Sequence, residues 1–327
     1  MATWLDMERT AIKAPDCTTP THHYIARDFS GRETIMAATV RPRRSVLYMP
    51  GSNARALEKA KTIAADGLIL DLEDAVSPDA KDVARQQIVD AVTGGGYGKR
   101  ELIVRINGLE TEWGAADMEA ICKAGPDGIL VPKITDAAHV QQIVAAMEKA
   151  GAPDKTRLWC MMETPIGILN AKEIGAASDR VAVWVMGTND IAKDTGALHT
   201  RDRLPMITSL GLCMLAARAF DIQILDGVFN DIKDEDGFRF TCQQGLELGF
   251  DGKTLIHPSQ VAPCNETFSP TEEQLVAAAR IVEGFKQAQA EGKGVVTVDG
   301  RMIENLHVDQ AKKQLAMAEM IAEMNAA

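Results

Sequence analysis

Eight short apolar runs recur along the chain, and most end on a polar residue able to do chemistry. The ends are Tyr48-Met49-Pro50, Asp71-Leu72-Glu73-Asp74, Arg105-Ile106-Asn107, Pro132-Lys133, Glu163-Thr164, Gly187-Thr188-Asn189-Asp190, Asp226-Gly227 and His257-Pro258. Strands are predicted over 45–49, 67–72, 101–107, 128–132, 157–163, 181–187, 222–226 and 253–256. Several are continuously apolar, as parallel strands covered on both faces must be. Helical patterns fill the gaps at 53–65, 79–92, 114–124, 136–150, 165–177, 204–220 and 235–248. The second of these opens on Ser77-Pro78 as N-cap and first-turn proline. Eight β-α alternations predict an α/β fold closed into a (β/α)8 TIM barrel, with its chemistry at the C-terminal rim.

The pattern changes at both ends. Residues 1–40 mix Pro, Thr, His and Arg without periodicity and read as an N-terminal extension. Residues 41–268 form the barrel, and 269–327 a C-terminal helical subdomain. In the latter, helices near 270–291 and 307–325 flank Gly292-Lys293-Gly294, an apolar stretch from Val295 to Val298, and a tight turn at Asp299-Gly300. Such a tail can reach over a barrel mouth, its own or a neighbour's.

Composition narrows the function classes. At 327 residues, 46% apolar and 25% charged, the chain reads as a soluble globular protein. No apolar run approaches the roughly 20 residues that span a bilayer, so no membrane anchor is expected. The six cysteines show no paired spacing and the first 39 residues no secretory apolar region, which points to the cytoplasm. A net charge of −11 argues against nucleic-acid binding. Gly94-Gly95-Gly96-Tyr97-Gly98-Lys99-Arg100 resembles a phosphate loop, but Thr93 and Arg100 break its spacing. Serine-hydrolase, zincin and thioredoxin motifs are lacking.

The rim itself carries more. Glu163 and Asp190 end neighbouring strands about 4.8 Å apart, where two carboxylates suit one hard cation. The alternative is that Asp190 caps the following helix and Glu163 makes a structural ion pair. Glu73 and Asp74 are placed to hold metal-bound waters, or to pair with Arg105 or Lys133, while Asp71 faces either barrel or helices. Arg105 is expected to aim its fork into the pocket, toward a carboxylate or enolate oxygen. Arg41, Arg43 and Arg44 precede the first strand and fall on the opposite, stabilising face. Gly187-Thr188-Asn189-Asp190 offers backbone N–H groups to an anion. Pro50-Gly51-Ser52-Asn53 makes a similar turn, followed by Arg55 and Lys59, which meet phosphates or simply solvent.

In this order the motifs resemble the HpcH/HpaI aldolase and citrate lyase β-subunit family, in its malyl-CoA branch. The resemblance rests on Val46-Leu47-Tyr48-Met49-Pro50-Gly51-Ser52, Leu70-Asp71-Leu72-Glu73-Asp74-Ala75-Val76, Val104-Arg105-Ile106-Asn107-Gly108, Pro132-Lys133, Met162-Glu163-Thr164, Gly187-Thr188-Asn189-Asp190 and Ile256-His257-Pro258-Ser259-Gln260. It implies a cytoplasmic homotrimer or homohexamer using Mg²⁺, with Mn²⁺ as the alternative, on a coenzyme A thioester of a hydroxy or 2-oxo diacid. Carried over by position, Glu163 and Asp190 look like metal ligands and Arg105 like the residue contacting thioester and keto-acid oxygens. Tyr48, Asn53, Lys59, Ile256 and His257 fall where relatives contact coenzyme A or substrate. Asn53 stands where malyl-CoA lyases carry arginine.

The family's catalytic acid comes from a neighbouring subunit's C-terminal segment, ending Gly-x-hydrophobic-hydrophobic-Asp. Here Gly300-Arg301-Met302-Ile303-Glu304 ends on glutamate, as in the hydrolytic members. The expected reaction is therefore hydrolysis of (3S)-malyl-CoA to malate and coenzyme A. The alternatives are carbon-carbon cleavage to acetyl-CoA and a 2-oxo acid, or a citryl lyase β subunit or non-catalytic coenzyme A-binding protein.

Overall fold

A computed structural model describes residues 41–290, 292 and 295–325. The expected N-terminal extension, residues 1–40, lies outside them. Eight parallel strands close in sequence order into a barrel: β1 (Ser45–Pro50), β2 (Gly67–Asp71), β3 (Glu101–Arg105), β4 (Gly128–Val131), β5 (Arg157–Met162), β6 (Val181–Met186), β7 (Gln223–Asp226) and β8 (Gly252–Leu255). Closure is made by β8 on β1, with Val46 opposite Thr254. The helices are α1 (Ala54–Ala60), α2 (Lys81–Gly94), α3 (Gly114–Ala124), α4 (Ala137–Lys149), α5 (Pro165–Leu169), α6 (Ala171–Ala176), α7 (Thr188–Thr195), α8 (Ile207–Ala219), α9 (Glu235–Leu248), α10 (Val261–Phe268), α11 (Glu272–Ala290) and α12 (Asn305–Asn325). Between the last two, β9 (Val296–Val298) and β10 (Arg301–Ile303) form an antiparallel hairpin. Its two-residue turn is Asp299-Gly300, both at positive φ, as a type I′ turn requires.

The strands fall where the apolar runs predict them, and the helices differ in local ways. The helix expected over 53–65 ends at Ala60, because Lys61, Thr62 and Ile63 donate three residues back and tighten the chain. The one expected over 165–177 breaks at Asn170, whose side chain donates to the Thr135 carbonyl. Ser77 and Pro78 open a short 3₁₀ turn without a side-chain cap bond, and α2 starts at Lys81. The sequence predicts a helix start at Asp190 but no periodic stretch for α7 or α10, since eight residues each is barely two turns.

Period-two alternation sorts the strand residues into two layers. Val46, Ile69, Ile103, Leu130, Trp159, Val183, Val185 and Leu225 pack inside the barrel, while alternate residues such as Leu68, Val104 and Trp184 face the helices. Trp159 fills the lower barrel, where Gly128 leaves it room and the Arg43 guanidinium lies 5.3 Å from its ring centroid. Arg43 also pairs with buried Glu101 at 2.6 Å, and Arg44 with Asp66 at 2.7 Å. These arginines brace the N-terminal end.

A second buried ionic cluster sits between barrel and helices. Asp226 receives Arg203 at 2.7 Å and Lys253 at 2.9 Å. Burial alone would push the Asp226 carboxyl up, but the two cations outweigh it and hold it below the usual range. Asp226→Ala strands the Lys253 ammonium in the interior and is expected to destabilise the fold by about 3–5 kcal/mol in urea unfolding. Removing Glu235 from its exposed pair with Arg239 should leave the urea midpoint nearly unchanged.

Candidate active site

The same alternation aims Tyr48, Asp71, Arg105, Met161 and Glu163 from β1, β2, β3 and the end of β5 into the top of the barrel. Glu163 is buried there, its Oε1 accepting the Lys133 backbone N–H at 2.8 Å. That N–H is aimed by a left-handed backbone at Lys133 (φ 53°), a conformation costly for a residue with a Cβ. On the far side the chain must have glycine, because a Cβ at Gly187 would collide with the Glu163 carboxylate. Gly187 is also the N-cap of α7, which puts half-buried Asp190 in its first turn without a capping role. Glu163 likewise makes no ion pair among the described residues.

Negative charge accumulates at this corner. Burial drives the Glu163 carboxyl up to about 8, and Glu73 and Asp190 add to the effect against the Lys133 N–H and Arg105. Glu73 rises to about 7, chiefly by burial, with Asp74 and Asp71 adding to it against Arg105. Such an excess of carboxylate fits a hard divalent cation. Among the described residues no three His, Cys, Asp or Glu converge to hold a metal. A cation here would take the two carboxylates Glu163 and Asp190 and complete its shell from water or substrate, as Mg²⁺ does.

Arg105 is held, not free. Its fork closes on Asp71, Nε to Oδ1 at 2.7 Å and Nη2 to Oδ2 at 2.6 Å, which fixes Asp71 on the barrel side. Nη1 lies 2.6 Å from Glu73 Oε2, though without the alignment of a hydrogen bond, and 3.5 Å from Asp74. The guanidinium sits 4.9 Å from the Tyr48 ring centroid. Burial opposes its charge, but Tyr48, Asp71 and Glu73 more than offset this and Arg105 stays cationic. The ion-pair alternative for Glu73 is thus the one seen.

Sequence reasoning passed over the support beneath. Buried Lys81 donates to the carbonyls of Leu72 and Glu73 at 2.7 and 2.8 Å and to Asn107 Oδ1 at 2.8 Å, with the Trp113 ring 5.0 Å away. Asn107 is bonded in turn to Asp117, which Arg85 pairs at 2.6 Å. A signal was present, since a lysine at the first position of a helix opposes the helix dipole and needs another reason to be there.

The remaining predicted residues spread along the rim. Pro50 ends β1 and buried Gly51 donates to the Asp71 carbonyl at 2.9 Å, with no room for a side chain. Asn53 caps α1 by accepting the Ala56 N–H, and Arg55 and Lys59 are exposed on that helix. Thr188 is buried, whereas exposed Asn189 exchanges amide bonds with Asn230. Ile256 and His257 are exposed, their N–H groups both received by Gln260 Oε1. His257 Nδ1 accepts the Ser259 N–H, which leaves the imidazole proton on Nε2. Glu304 is exposed where β10 meets α12; the far end of that helix pairs Glu323 with Lys99 at 3.2 Å, about 30 Å along the axis.

Folding raises the Glu163 and Glu73 values above those of the unfolded chain, so protons favour the folded state. That contribution is complete below the ordinary glutamate range and is lost as pH rises through about 7 to 8. Protein stripped of divalent cations should therefore melt progressively lower across that window, and Glu163→Gln should flatten the profile. Gly187→Ala should weaken Mg²⁺ binding at least about tenfold, read by calorimetry, through displacement of Glu163.

Comparison with known proteins accords with this geometry. A protein of Cereibacter sphaeroides named (3S)-malyl-CoA thioesterase is 50% identical over 291 residues, 89% of this chain and 100% of the relative. The citrate lyase subunit beta of Escherichia coli is 35% identical over 86% of this chain and 94% of its own. Among solved structures, CitE of Mycobacterium tuberculosis in complex with magnesium, acetoacetate and coenzyme A superposes with a TM-score of 0.67 at 29% identity, covering 84% of this chain and 97% of that one. Residues 44–258 match the family described as HpcH/HpaI aldolase/citrate lyase. With two-thirds of the chain inside that match and an eight-stranded barrel built on its residues, the protein is a member of the HpcH/HpaI aldolase/citrate lyase family.

Proposed function

We propose that this protein is a Mg²⁺-dependent thioesterase that hydrolyses (3S)-malyl-CoA to malate and coenzyme A. The observation that carries it is the 50% identity, over their full length, to relatives of that name. Glu163 and Asp190 would hold Mg²⁺, which would polarise the substrate's oxygens. The magnesium and coenzyme A named for CitE support that part.

The chain's own residues divide the remaining work. Asp71 locks the Arg105 plane so that Nη1 is the donor turned toward an incoming carbonyl oxygen. Glu73, 2.6 Å from Nη1 but not aligned to hold it, yields that edge to the incoming oxygen. Tyr48 backs the guanidinium, and Ile256, His257, Asn53 and Lys59 line the side where the coenzyme enters. Hydrolysis needs a base for water: Glu304, on a neighbouring copy's hairpin, takes the proton as the water oxygen joins the thioester carbon. The carbon-sulfur bond then breaks as Glu304 returns that proton to the departing sulfur. This reading makes the enzyme a homo-oligomer with shared sites.

Purified enzyme given (3S)-malyl-CoA and Mg²⁺ should release free malate and thiol; glyoxylate and acetyl-CoA as the main products would instead support the lyase reading that the citrate lyase relatives favour. Arg105→Met should lower kcat/KM by about 100-fold. Glu163→Gln and Glu304→Gln should each be inactive alone, yet co-expressed chains should recover part of the activity, because some sites then combine an intact metal pair with an intact neighbouring Glu304.

A further inference from the structure

The outer face of α8 has the composition of an interior. Its sequence, Ile207-Thr-Ser-Leu-Gly-Leu-Cys-Met-Leu-Ala-Ala-Arg-Ala219, holds one charged residue, Arg218. Leu210, Cys213, Met214 and Ala217 are buried toward the barrel, as a barrel helix requires. The opposite stripe is apolar or uncharged as well. Leu204 in the preceding 3₁₀ turn, then Thr208, Leu212, Leu215 and Ala219, recur at helical spacing on the exposed side. Leu204 is 71% exposed, Leu212 43% and Leu215 73%. Neighbouring α5 packs against α8 and adds Ile166 at 51% and Leu169 at 74%.

A helix that is apolar all round is a buried helix, so something covers this face. We infer that a second copy of this chain docks on the α5/α8 face, burying Leu204, Leu212, Leu215, Ile166 and Leu169 at a subunit interface. Area and charge both favour this occupant. The five side chains offer on the order of 500 Å² of apolar surface, as large as the biggest patch a monomer carries and more than half of the roughly 800 Å² each partner gives to a stable interface. A chain of net charge −11 repels its own copies over most of its surface. The Leu204-to-Ala219 stripe carries no charge, so two copies can meet there without that cost. A Cβ at Gly211 would touch nothing within 4 Å, so among the described residues no other part of the chain covers the helix surface beside Leu212. The inference rests on the self-association proposed above only for its partner, and not on the reaction.

Light scattering on the full-length protein at tens of micromolar tests it. Wild type should show a multiple of the 35.3 kDa chain mass. Leu212→Glu/Leu215→Glu should fall to a smaller multiple or to a single chain with an unchanged circular dichroism spectrum. Leu212→Gln/Leu215→Gln, less disruptive if the double glutamate is insoluble, should show at least a tenfold weaker association. Val83→Glu, at a 58% exposed apolar position on α2, should leave the mass unchanged. A folded α8 variant with the wild-type mass overturns the interface while leaving self-association intact. A monomeric wild type overturns both.

Discussion

The rim is organised by one ion pair. Arg105 brings a permanent charge into the barrel, and Asp71 on the adjoining strand answers it with two parallel bonds of 2.6 and 2.7 Å. The pair is out of water, and it holds because the Asp71 oxygens accept further hydrogen bonds. Asp71 also receives the N–H groups of Glu73 and Ala75, which turns the chain after β2 over the guanidinium. Lys81 and Asn107 fasten the same turn from below. The arrangement leaves one edge of Arg105 facing a carboxylate that burial makes easy to protonate.

Much of this was legible beforehand, for definite reasons. Parallel strands sheltered on both sides write themselves as apolar runs, so all eight were readable. The polar residues that end those runs put Arg105, Glu163 and Asp190 on one rim. What escaped were features that depend on groups far apart in sequence. Nothing local to Lys133 announces its left-handed backbone, and the partner of Asp71 could be known only once β2 lay beside β3. Short helices such as α7 hold too few residues for a period to emerge. The break at Asn170 comes from a bond to Thr135, 35 residues away.

Two scales of charge control coexist in the molecule. Asp226 is compensated on the spot by Arg203 and Lys253, and the cluster serves the scaffold. Glu163 is left with a single backbone N–H and carboxylate neighbours, an imbalance that a passive core would have removed. The contrast separates the part of the barrel that is finished on folding from the part that waits for a ligand.

The lower barrel carries a further consequence. Trp159, stacked by Arg43 and underlain by the Arg43–Glu101 pair, stoppers the N-terminal end. Val46, Ile69, Ile103, Leu130, Val183, Val185 and Leu225 pack the interior with it, so the C-terminal rim is the end of the barrel open to a ligand. With its floor filled, the barrel offers a rigid base against which the rim residues are set, and a ligand can approach them from one side alone.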